Sequence, residues 1–83
     1  MSAKRILVVG NHSSVNVWVN EQDLPEERIL RVTGPEVLRG VVEEDVEKVV
    51  VTYGWREMPS SRALAIADKL AAIGISRQIW RYV

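Results

Sequence analysis

"VVVTYGWREMPSSR", residues Val49 to Arg62, decides the fold. An unbroken run of valines passes through a glycine-containing turn into a proline, two serines and a helical pattern. A strand buried on one face alternates apolar and polar side chains, whereas a strand covered on both faces reads as a continuous apolar run. "VVV" here and "ILVV" at Ile6 to Val9 are of the second kind, so both are expected at the centre of a parallel α/β sheet. Working outward, four segments rich in Val, Ile, Thr and aromatic residues read as strands: Lys4 to Gly10, Arg28 to Thr33, Lys48 to Tyr53 and Arg77 to Val83.

After the quoted turn, a helix is expected from about Ser61 to Ile73. Pro59 and the serines supply start chemistry, Leu64, Ala67, Leu70 and Ala71 form the apolar stripe, and Gly74 sits where a left-handed cap belongs. "TGPEVLRG", Thr33 to Gly40, reads as a shorter helix with Pro35 in its first turn, and the acidic run that follows reads as a solvated loop or ragged final turn. Ser14 to Asn20 can be read in two ways. As a helix capped by Ser14, it places Val15, Trp18 and Val19 on one stripe. As a strand, Val15, Val17 and Val19 alternate with Asn16, Trp18 and Asn20 and pair with the first strand through a turn at "NHSS". The β-branched content favours the strand. The fold expected is one α/β domain over residues 1–83: a mostly parallel, Rossmann-like sheet of four to five strands with two helices, its N-terminal hairpin depending on that segment.

Composition narrows the function classes. Eleven basic and eleven acidic side chains cancel, which removes the general phosphate attraction of a nucleic-acid binder. No cysteine is present, so disulfides, thiolate zinc sites and cysteine nucleophiles are excluded. Lys4 and Arg5 are followed by only five apolar residues before Asn11, against the ~20 that span a bilayer; a soluble, cytoplasmic protein is expected. Eight arginines to three lysines, abundant Val and Ala, and no Phe suggest a GC-rich genome. In format, a small cysteine-free α/β domain of this composition resembles accessory proteins encoded by phages of high-GC bacteria. That resemblance rests on no motif and implies no site residue.

Two surfaces stand out. In open α/β sheets ligands gather beyond the carboxyl ends of parallel strands, which here places Asn11, His12, Ser13, Ser60, Ser61 and Arg62, with Thr33 and Arg56, around a cradle for an anion such as phosphate. Neither GxGxxG nor GxxxxGK[ST] occurs, so no nucleotide cofactor is implied. His12, the only histidine, is the one residue on which an enzymatic reading rests; with no carboxylate orienter evident for general-base work, it reads first as an ordinary turn residue. The carboxylates Glu43, Glu44, Asp45 and Glu47 form a solvated run rather than a metal cage. The other surface is aromatic. Trp18, Trp55 and Trp80 are many indoles for so small a core, and exposed Trp beside Arg is what interface hot spots are made of.

The leading expectation is therefore a non-enzymatic module that binds a protein partner. Its contacts would be the Trp55, Arg56, Met58 loop or a C-terminal edge carrying Trp80 and Tyr82, the latter also suited to a homodimer seam. The alternative is a phosphate-ligand or nucleotide-binding domain built on the cradle. Arginines are scattered without a nucleic-acid motif, which leaves only Tyr53, Trp55, Arg56 and Arg62 as a small stacking surface for a single strand.

Overall fold

The computed structural model describes residues 4–83. Its elements are β1 (Arg5–Val9), α1 (His12–Gln22), β2 (Ile29–Val32), β3 (Val46–Val51), α2 (Ser60–Ile73) and β4 (Trp80–Tyr82), linked by five short 3₁₀ turns. The four strands form one sheet in the order β2-β1-β3-β4, every pairing parallel. The two continuous apolar runs are the two central strands, as the absence of alternation predicts.

The pleat divides the core. Leu7, Val9, Val49, Val51 and Trp80 face α2, packing with Ile66 and Leu70, whereas Ile6, Val8, Ile29 and Val50 face α1 and pack with Val15 and Val19. Fully burying an aliphatic side chain is worth about 1.5–3 kcal/mol, so these two clusters, one on each face, fix both helices against the sheet.

The segment 14–20 is a helix, contrary to the strand favoured by its β-branched content, and the described residues form no N-terminal hairpin. The reason is non-local: β1 is already paired with β2 on one edge and β3 on the other, so no edge is left for a hairpin partner. Asn11, not Ser14, is the cap, its Oδ1 accepting the Ser14 N–H at 2.9 Å. Ser14 is wholly buried instead.

Other boundaries shift for local reasons. No serine side chain caps α2; Pro59 occupies the cap position, and its carbonyl accepts from the Arg62 and Ala63 N–H groups. The buried residues of α2 are Ile66 and Leu70, with Ala63, Ala67 and Ile73 partly covered, so the expected stripe is rotated and Leu64 is 63 % exposed. Gly74 does form the left-handed cap, at φ 101°. The expected helix after β2 is only a 3₁₀ turn, Pro35–Leu38, that buries Leu38 against the α2 face. Arg77–Ile79 form another 3₁₀ turn rather than strand, because Ser76 Oγ accepts the Gln78 N–H and the Trp80 N–H donates to the Arg77 carbonyl. Among the described residues no helix is long and apolar enough to cross a membrane.

Candidate protein-interaction surface

The order β2-β1-β3-β4 puts the topological switch between β1 and β3, where the chain leaves toward α1 after one strand and toward α2 after the other. This is where an anion cradle would sit, and the chain fills it with its own side chains. Thr52 Oγ1 donates to the Val9 carbonyl at 2.9 Å and pairs with Ser14 Oγ at 2.7 Å, both hydroxyls being buried. A Cβ on Gly10 would run into Thr52 Oγ1, and one on Gly54 into Ser14 Oγ and Asn11 Oδ1. Gly54 is therefore required for close approach rather than for turn freedom. At the mouth, Asn11 Nδ2 donates to Glu57 Oε2 at 3.2 Å, setting a carboxylate where a phosphate would need cations.

Of the cradle residues, Asn11 is consumed as a helix cap, and His12 and Ser13 are exposed on the first turn of α1. Ser60, Ser61 and Arg62 are exposed on the first turn of α2, across the sheet, with an Arg62 guanidinium N–H directed at the Thr33 carbonyl at 3.4 Å. The structure thus splits this set between the two faces. Among the described residues no group of three or more His, Asp or Glu is placed to hold a metal ion.

The aromatic set is brought together more closely, though not all of it at the surface. Trp80 is only 5 % exposed and Met58 9 %: both are core residues, which corrects their expected role as exposed contacts. Trp55 stands over Trp80 in an edge-to-face pair with centroids 6.2 Å apart, Tyr82 lies 6.4 Å from Trp80, and the Arg77 guanidinium covers the Trp80 ring at 4.2 Å. Trp55 is half-buried, while Arg56 and Tyr82 are exposed, Tyr82 at 65 %.

Around this stack run three adjoining grooves. The first, about 520 Å³, is lined chiefly by Tyr53, Trp55, Arg56, Tyr82 and Val83. It shares Thr52, Tyr53 and Val83 with a smaller one of about 200 Å³ reaching Val17, Trp18 and Glu21 on α1. Through Trp55 it continues into a third, of about 410 Å³, past Leu64 and Ala67 to Arg77. No protein family, curated protein or solved structure matches this chain. The site is accordingly read from its own geometry.

Tyr53 was expected only as part of a nucleic-acid stacking surface, and Leu64, Val17 and Val83 were not expected as contacts. A strand-end tyrosine was visible as a signal, but the exposure of Leu64 depends on the phase of α2, and the meeting of Val17 with Val83 depends on α1 being a helix. Among the described residues, the displaced ionisations lie elsewhere: hydrogen bonds from Arg31 at 2.6 and 2.8 Å hold the Glu26 carboxyl below the usual range, and Glu26 correspondingly raises Arg31.

The outer edge of β4 is covered at Trp80. The Val83 N–H donates to the Val51 carbonyl, so by the period of two Trp80 and Tyr82 turn their backbone groups away from β3. Arg81 folds its guanidinium over that edge, donating to the Gln78 carbonyl at 2.8 Å and the Trp80 carbonyl at 3.1 Å, and the Trp80 N–H is taken by Arg77. Replacing Arg81 by Val should free these acceptors and produce concentration-dependent larger species in size-exclusion chromatography. Unchanged elution would show that the guanidinium adds nothing to edge protection.

Proposed function

We propose that this chain is a non-enzymatic protein-interaction module whose contact surface is the aromatic band at the carboxyl ends of β3 and β4. One observation carries the reading. Of the six large apolar residues that stand exposed among the described residues, Val17, Tyr53, Leu64, Tyr82 and Val83 all line the three connected grooves, leaving only Val42 elsewhere. Scattered exposed apolar side chains are normal, but their concentration in one band rimmed by Arg56, Arg77 and Glu21 marks an association surface. The filled switch point favours this band over an anion cradle, and the Arg81 guanidinium over the Gln78 and Trp80 carbonyls disfavours strand addition at that stretch.

The occupant is a segment of a partner protein that lays apolar side chains along the band. The variant that tests it is Arg56→Glu with Tyr82→Ser, since both residues are exposed and stand outside the core clusters, unlike Trp55. Cross-linking with a photoactivatable group at Tyr53 should join a protein to the wild-type band and lose it in this variant, with an unchanged melting temperature. Equal cross-linking in both would remove the band from the reading.

A further inference from the structure

We infer that the segment taken up by this band is acidic: an extended stretch of a partner protein that sets carboxylates beside Arg56 and Arg77 and apolar side chains against Tyr53, Tyr82 and Val83. The inference rests on the protein-interaction reading and specifies the partner's chemistry. The ion pairs among the described residues are Arg28–Glu47 and Arg31–Glu26, so neither Arg56 nor Arg77 has a carboxylate partner among them. Both border the half of the band that runs toward α2, Arg56 in the central groove and Arg77 in the next, joined by Trp55. The one side-chain carboxylate lining these grooves, Glu21, is at the α1 end.

The charge is therefore graded along the band rather than uniform. A complementary segment carries its acidic residues over Trp55 and Leu64 and is neutral or basic where it nears Glu21. Desolvation by the surrounding indole and phenol rings strengthens such a guanidinium–carboxylate contact, and Arg77 is already held in place by its stacking on Trp80. Three grooves in series, with shared walls, suit an extended chain better than a helix, which needs one broad trough. The zero net charge and the lack of a nucleic-acid motif weigh against a nucleic-acid strand on the same aromatic rings.

The test is selection of a random twelve-residue peptide library on the intact chain, with counter-selection on the Arg56→Glu, Tyr82→Ser variant. Band-dependent peptides should be rich in Asp and Glu beside Leu, Phe or Trp, and by fluorescence polarisation should lose about tenfold in affinity with Arg56→Glu alone. Arg56→Lys should retain most of it. Band-dependent peptides that are neutral or basic would overturn the acidic assignment while leaving the interaction surface standing; no band-dependent peptide at all would overturn both. A labelled oligothymidylate bound as tightly as the selected peptides would transfer the surface to single-stranded nucleic acid. Sedimentation of the chain alone covers the remaining occupant, because an oligomer abolished by Arg56→Glu would make the partner a second copy.

Discussion

Replacing Gly10 by alanine is expected to destabilise the fold by about 3 kcal/mol, from the combined cost of overpacking and of a disturbed buried hydrogen bond. The new methyl would run into Thr52 Oγ1 and come within 2.7 Å of Ser14 Oγ, at a residue whose φ is +157°. Neither hydroxyl can turn aside freely. They bond to each other across 2.7 Å, Thr52 Oγ1 also donates to the Val9 carbonyl, and both are sealed from water. For a chain of this size the loss corresponds to a fall in melting temperature of roughly 12–24 °C. The clash also predicts coupling: in a Thr52→Ala background, where the opposing hydroxyl is gone, the same Gly10→Ala change should cost less than half as much, an interaction of more than about 1.5 kcal/mol. Strict additivity in the double-mutant cycle would show that the penalty comes from the backbone angle and not from the packed hydroxyls.

How far the sequence carried can be judged from the same residues. Ile6–Val9 and Val49–Val51 were legible as central strands because burial on two faces leaves its imprint in each run alone, without reference to the rest of the chain. Residues 14–20 were not, because Val15, Val17, Trp18 and Val19 satisfy both periods. What decides between them is that both edges of β1 are occupied by strands about twenty and forty residues downstream, which no local pattern records. The candidate surface was half legible. Trp55 and Arg56 could be singled out as surplus to a turn, but Trp80 and Tyr82 share a sheet face, and alternation cannot show that α2 covers one and leaves the other in water. The band's continuity is less legible still, since it joins α1, the end of β3, α2 and the end of β4 through shared groove walls.

Trp80→Ala should be the most damaging single change near this surface, costing about 3–5 kcal/mol of a total stability that for such domains lies near 5–15 kcal/mol. The indole is a member of the core on the α2 face and the platform under Trp55, Tyr82 and the Arg77 guanidinium. Removing it empties the space beneath the groove, so thermal stability and peptide binding should fall together. Trp80→Phe separates the two roles. The Trp80 Nε1–H is buried without a hydrogen-bond acceptor, and an unsatisfied buried donor costs about 1–3 kcal/mol. Phenylalanine gives up some apolar contact but removes that donor, so the two changes offset, and its stability should stay within about 1 kcal/mol of wild type. The smaller ring still supports Trp55 and Arg77, and affinity for band-dependent peptides should persist. If Trp80→Phe proved as destabilising as Trp80→Ala, the indole N–H would have to be satisfied, and the Trp55 ring, at 86° to it with centroids 6.2 Å apart, would be the partner to test. Trp55 would then be held by that contact, and the wall between the central groove and the α2 groove would be a fixed part of the core rather than a side chain free to adjust to a partner.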